Sequence, residues 1–302
     1  MYLIFGAASF QNSALKWSSD HRYHHRFVDK KSDPYNIQEG FFWAHIGWIL
    51  YSDPKHRSYG NATDLQKNPL VDWQHRYYFS IATIMSFVFP TLVGACFGRA
   101  LEGFLWGGLF RLVFVHHTTF LINSAAHVFG KKTYSEKNSA RDCWWLAFFT
   151  NGEGYHNFHH AFANDYRNGI RWYQWDPSKW LIYIQKVFGL SSDLKRTPDW
   201  QILRVKMEKK YSDFQTTLAA QPQSLSERYD EQVRSLKEQL DKHIESVAKL
   251  RNEYQAWKHK HGATHEFLQS CMHSLHEQQQ EMRKAWDEYC RAIAQANQAL
   301  AV

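Results

Sequence analysis

Asn151-Gly152-Glu153-Gly154-Tyr155-His156-Asn157-Phe158-His159-His160 places three imidazoles at i, i+3 and i+4. On a helix those positions share one face. The same spacing occurs at Asp20-His21-Arg22-Tyr23-His24-His25. One such triplet could arise by chance in a chain with 18 histidines; two, each on a short polar stretch beside apolar segments, are hard to obtain that way. Neutral imidazole is the commonest side-chain metal ligand. Two HxxHH boxes facing each other supply six nitrogens, more than one zinc needs. The economical reading is a pair of metals, iron foremost.

Outward from the boxes, the chain divides into unlike parts. Its mean hydropathy of −0.56 averages an aromatic N-terminal two thirds with a tail rich in Gln, Glu, Lys and His. Tyr77 to Gly98 holds no charged side chain over 22 residues, which predicts a transmembrane helix. Pro90 inside it is tolerated where neighbouring helices satisfy the backbone. A short loop leads to a second span, about 103–122, in which Arg111 must face protein or water rather than lipid. Nine Lys and Arg lie between Lys16 and Arg76, and Lys131, Lys132, Lys137 and Arg141 follow the second span, whereas the loop between the spans has only Arg99. The positive-inside rule puts residues 11–76 and 123 onward on the cytoplasmic side. A two-span hairpin therefore brings both triplets to one face of the membrane.

Shorter signals surround these. Met1–Phe10 is apolar without the features of a secretory signal, and reads as the end of a membrane helix whose beginning is missing. Phe41–Leu50, with Trp43 and Trp48, suits a segment lying in the membrane interface. Trp144–Thr150 is apolar but too short to span. His45 and His56 read as interface or surface histidines, and His116 and His117 as packing groups of the second span. Asn123 and His127 share a helix face at i, i+4. Glu153 is a candidate acceptor for the second N–H of a ligand imidazole.

The four cysteines, Cys96, Cys143, Cys271 and Cys290, lack CxxC spacing, so they suggest neither a thiolate metal site nor a disulfide framework. The net charge of +7 comes with no basic stripe interleaved with aromatics, which argues against nucleic acid and suits anionic lipid. In the tail, Tyr229, Val233, Leu236, Leu240, Val247, Leu250, Tyr254 and Trp257 recur at heptad steps. After a break at His261-Gly262-Ala263, so do Leu268, Met272, Leu275, Met282, Trp286, Tyr289 and Ile293. This predicts a coiled-coil helical hairpin over 225–300, available for self-association, after a linker over 201–224. Its histidines, including His243, His259, His261, His265, His273 and His276, read as surface residues.

Taken in order, Gln11-Asn12, Trp17, Asp20-His21-Arg22-Tyr23-His24-His25, Asp33-Pro34, Gly40-Phe41-Phe42-Trp43-Ala44-His45-Ile46-Gly47-Trp48, Asn123-Ser124-Ala125-Ala126-His127 and Gly152–His160 resemble the integral-membrane Δ9 fatty acyl desaturases. The resemblance covers roughly residues 1–190. It implies an all-α membrane domain over 1–200 with a cytoplasmic histidine-box cap. It also implies a di-iron centre held by His21, His24, His25, His127, His156, His159 and His160, with Asn123 acting through water and Asp20 and Glu153 supporting the ligands. Gln11, Trp17, Trp48 and Thr119 would line a bent acyl tunnel. The reaction would be O₂-dependent insertion of a cis double bond, with electrons from a separate cytochrome b5 or ferredoxin.

Two departures accompany the resemblance. The family's pattern has an HxxxxH box ahead of the first HxxHH, and the residues before His21 contain no His, so the expectation is an N-terminally truncated member. Animal members also carry a basic cluster for coenzyme A after the Gly-Trp motif. Here Tyr51-Ser52-Asp53-Pro54-Lys55-His56-Arg57 has fewer, shifted cations, which leaves CoA, lipid and carrier protein open as acyl carriers. Two competing readings stand beside the desaturase: another histidine-box membrane hydroxylase, and a non-catalytic homologue acting through its coiled coil.

Overall fold

The computed structural model describes residues 1–51, 59–258 and 265–301. His56, the cations at Lys55 and Arg57, and the break at His261-Gly262-Ala263 with His259 lie outside the described residues. The fold is all-α; the only extended pairing among the described residues is the pair of bridges Lys131–Asp142 and Asp142–Tyr155. The chain divides into two compact units, Met1–Lys195 and Arg196–Val302.

In the first unit, α1 is Tyr2–Ala7, α2 is Ala14–Phe27 and α3 is Pro69–Arg76. Ser13 caps α2 by accepting from the Lys16 amide, and Asn68 caps α3, with Pro69 at its first turn. Short helical turns connect α2 to α3, among them Trp43–Gly47 and Trp48–Tyr51. Among the described residues, two helices are long and apolar enough to cross a membrane: α4, Tyr78–Ala95, and α5, Ala100–Val128. The second is longer than its sequence suggested. Large apolar side chains such as Phe79, Leu92 and Trp106 are exposed along them.

Small residues bring α4 and α5 together. A Cβ on Gly103 would strike the Pro90 carbonyl oxygen, and one on Gly107 would sit 2.7 Å from the Pro90 side chain. This close backbone approach is how membrane helices pack when burial of apolar surface gives no advantage over lipid. Pro90 follows a π-turn over Ile84–Val88, which absorbs its missing N–H. Arg111 is accommodated by protein: its Nε donates to Gly107 O at 2.8 Å and its Nη1 to Ala8 O at 2.8 Å. With Ser86 Oγ on Ala8 O and His116 Nε2 on Ser9 O, it satisfies the carbonyls at the end of α1.

Beyond α5 the chain forms the loop 129–143 and three further helices: α6 (Trp144–Phe149), α7 (His156–Ala161) and α8 (Pro177–Val187). Gly154 permits the approach of α7 to α6, since a Cβ there would land on the Ala147 backbone. Asn157, fully buried, accepts from the Tyr134 and Ser135 amides and donates to Ser135 O and Ala140 O. It thereby fixes the loop against the histidine helix.

The second unit corrects the expected domain layout. Residues 201–224, read as a linker, are mostly helix α9, Asp199–Leu218. It packs with α10 (Gln223–Lys258) and α11 (His265–Leu300), so the hairpin has a third member. Met207, Phe214 and Leu218 enter the same core as Val233, Leu240, Val247, Met282, Tyr289 and Ile293. Ile244 fills the step the heptad reading left open. The Tyr289 hydroxyl donates to Met207 O at 3.2 Å, and Arg204–Asp241 at 3.0 Å and Lys237–Glu208 at 2.8 Å pair α9 with α10.

Candidate metal centre

The two sequence triplets do not each form a site. Helices α2 and α7 face each other, and their imidazoles sort into two mixed groups: His24, His127, His156 and His160 in one, His21, His25 and His159 in the other. Residues i and i+4 stay together, while the intervening i+3 position turns toward the neighbouring group, as helical geometry requires of adjacent residues. In the first group the Nε2 atoms of His156 and His127 are 3.1 Å apart, those of His160 and His156 3.1 Å, and those of His24 and His160 3.3 Å. In the second, His25 Nε2 lies 3.1 Å from His21 Nε2 and 2.9 Å from His159 Nε2.

What holds the rings decides what the group can bind. His24 Nδ1 is 2.9 Å from Asp33 Oδ1, with both side chains buried. An ionised carboxylate only accepts, so Nδ1 carries the proton and Nε2 offers its lone pair. His127 Nδ1 is 2.7 Å from Ser139 Oγ, whose own proton goes to Asp29 Oδ1. The Ser139 oxygen therefore accepts from His127, and that Nε2 is a lone pair too. Asp29 adopts a left-handed backbone, φ 64°, which Asp tolerates. Two lone pairs thus point into a buried group of four close-set nitrogens. Without a cation between them that arrangement is repulsive; with one it is a ligand set, and acceptors on the far nitrogen are the usual support for metal-binding histidines. The donor set fits a metal in both groups.

Burial and mutual repulsion favour the neutral form of His21, His25, His156 and His160. His21 is lowered to about 2 and His25 to about 3, in each case chiefly by burial and then by neighbouring imidazoles. His156 and His160 fall well below the ordinary imidazole range for the same reasons. His156 Nδ1 is buried and has no hydrogen-bond partner among the described residues.

A cavity of about 510 Å³ runs up to this centre. Gln11, Trp17, Trp48, Thr119 and Asn123, singled out by resemblance, all line it, together with His21, His24 and His156. Gln11 Nε2 donates to Thr119 Oγ1 at 2.9 Å, tying residues that are 108 positions apart. Asp20 also lines the cavity and pairs with Lys16 Nζ at 3.2 Å. Glu153 differs from expectation: it lines the cavity, but its carboxylate accepts from Asn168 Nδ2 at 2.7 Å. The groups that accept from the clustered imidazoles are Asp33 and the Ser139–Asp29 relay, which sequence reasoning missed. Asp33 was visible only as half of a turn dipeptide, and Ser139 carried no signal. His45 and His117, read as surface and packing groups, form a pair with Nε2 to Nδ1 3.0 Å apart, and His45 Nδ1 donates to Ser124 Oγ at 3.0 Å.

Comparison with known proteins shows the family to which this sequence belongs. The model of the family described as fatty acid desaturase matches residues 2–182. The chain is 47% identical over 199 residues to a probable acyl-CoA desaturase of Schizosaccharomyces pombe, covering 65% of this chain and 42% of that protein. It is 42% identical over 197 residues to acyl-CoA desaturase 1 of Saccharomyces cerevisiae, covering 65% and 39%. It is 34% identical over 194 residues to the sn-1 stearoyl-lipid 9-desaturase of Anabaena variabilis, covering 64% and 69%. The chain thus spans well under half the length of the two yeast relatives. With histidines in two groups at the end of an aromatic cavity and a family match over most of the first unit, the chain belongs to the fatty acid desaturase family.

Proposed function

We propose that the chain is an O₂-dependent fatty acyl desaturase that introduces a cis double bond, Δ9 in position, at a pair of iron ions. The observation that carries this reading is the cavity of about 510 Å³ that ends on His21, His24 and His156. His24, His127, His156 and His160 would hold one iron; His21, His25 and His159 would hold the other, with Asn123 contributing through water. A methylene has no acidic proton for a general base to remove, so the oxidising power would have to come from O₂ and two electrons, and activating O₂ is the chemistry that metals held by these histidines would supply. The balance is one saturated chain, O₂, two electrons and two protons in; one alkene and two waters out.

The chain's own residues do the rest. Asp33 and the Ser139–Asp29 pair hold His24 and His127 in the ligand tautomer. Trp17, Trp48 and Phe120 form apolar walls that exclude water and present a methylene chain to the centre. The Gln11–Thr119 hydrogen bond fixes the separation of two of the lining elements and so the path of the chain. Helices α4 and α5 would anchor the unit in the bilayer, with the histidines on the cytoplasmic side. The substrate would be a fatty acyl chain on CoA, lipid or carrier protein, and the electrons would come from a separate cytochrome b5 or ferredoxin. Pairing of two copies through the second unit would have to use residues its own core leaves exposed, such as Trp257 and Met272.

The test is product analysis by mass spectrometry after reconstitution with an electron donor and saturated acyl substrates. A cis alkene at carbon 9 supports the proposal. A hydroxylated product favours the hydroxylase reading, and iron loading without any product favours the non-catalytic one.

A further inference from the structure

Helices α6 and α8 carry an apolar surface that no described residue of the first unit covers. Leu146 and Ala147 of α6 are buried, but Trp144 is 77% exposed and Phe148 59%. In α8 only Lys179 is buried; Leu181, Ile184, Val187 and Phe188 are all at least half exposed. Their spacing puts them in one stripe on the helix. Ring contacts join the two helices: Phe148 to Trp175 at 4.9 Å and Trp175 to Trp180 at 5.6 Å between centroids. An open cleft of about 480 Å³ lies between Trp144, Trp145, Phe148, Phe149, Tyr173 and Trp175.

We propose that this surface is a second membrane contact, lying in the bilayer interface with its cleft taken up by lipid acyl chains. Three observations choose lipid over other occupants. The first is continuity: Phe129, directly after α5, packs on Trp145 at 6.3 Å, so the aromatic surface begins where the longer apolar helix ends. A Gln185–Tyr2 hydrogen bond ties α8 to α1, which packs on Tyr78 and Ala82 of α4. The second is composition, since Trp and Tyr favour the boundary where a ring meets both hydrocarbon and water. The third is charge. Neither α6 nor α8 bears an acidic side chain, while Arg171 and Lys186, the latter on the face of α8 opposite the stripe, are exposed, as suits anionic headgroups above a buried apolar face. Lys179 Nζ donates to Gly169 O and Arg171 O at 2.8 Å each, holding the Trp172–Trp175 loop on the helix. The desaturase cap would then be anchored at a fixed depth by contacts outside the spanning hairpin.

This inference rests on the proposal that α4 and α5 cross the bilayer, and the experiment separates the two. The full chain, with its native cysteines replaced, is placed in lipid nanodiscs with single spin labels at Trp144→Cys, Leu181→Cys and Phe188→Cys. Ser178→Cys, roughly 120° around α8 from the stripe's centre, serves as the water-side control, and Trp106→Cys in α5 as the lipid control. Collision with oxygen is compared with collision with a water-soluble nickel chelate. The expected result is a several-fold excess of oxygen over nickel accessibility at 144, 181 and 188, and the reverse at 178. Nickel excess at the three test sites, with oxygen excess at 106, overturns the inference and leaves the spanning hairpin intact. Exclusion of both probes at the test sites overturns it by showing that protein covers the surface. Nickel excess at 106 as well removes the premise of both.

Discussion

The histidine centre and the three-helix bundle are both helical and both buried, yet they are built by different rules. The centre is specified by lone pairs: seven imidazoles, two carboxylates and one hydroxyl whose positions matter to tenths of an ångström. The bundle is specified by volume: Leu240, Val247, Tyr289 and their neighbours fill a core at heptad steps. A substitution in one can therefore alter the chemistry of the histidine groups without unfolding the bundle, and a substitution in the other can weaken the bundle without touching the imidazoles. The difference separates what a mutation does to chemistry from what it does to fold.

The sharpest division comes from His160→Ala, which we predict abolishes product formation while the chain still inserts in membranes; retention of parental product yield by that variant removes His160 from the ligand set. Next in size, Leu240→Ala leaves a cavity in the fully buried bundle core. It should cost the second unit about 2–5 kcal/mol, read by thermal or denaturant unfolding, with metal content unchanged. Asp33→Ala removes the acceptor on His24 and should weaken metal at the four-histidine group by roughly 10–100-fold, the usual loss when such a partner goes. Competition with a chelator measures it, and an equal loss at the three-histidine group would mean that Asp33 acts through general destabilisation. Arg204→Ala should be the mildest. Arg204 and Asp241 are each 37% exposed, and such pairs are worth about 0.2–1 kcal/mol; a larger fall in bundle stability would show that the Arg204 stem packs as well as pairs.

How far the sequence could be read followed the same division. The clustered histidines were legible because a helix forces i, i+3 and i+4 onto one face, and the apolar run of α4 because a span demands length. The sorting into mixed groups was not legible, since it depends on how α2 and α7 face one another. Glu153 attracted attention by proximity in sequence, while the groups that accept from His24 and His127, Asp33 and Ser139, reach them through a turn and a loop that no spacing announces. Helix α9 is a different kind of miss. Leu203, Met207, Tyr211, Phe214 and Leu218 already repeat at steps of three and four, and the charged residues between them masked a stripe that only needed partners. The pair His45–His117 was hidden because a lone histidine near a membrane segment has no pattern of its own.

The central claim is that two mixed histidine groups each hold a metal. Metal content of the purified full chain, measured by mass spectrometry alongside His25→Ala and His160→Ala, tests it directly. The account predicts two metals per chain, falling to one in each variant, with the histidine left in place keeping its own metal. A single metal lost in both variants alike, or no metal in the parent chain after iron loading, would contradict it.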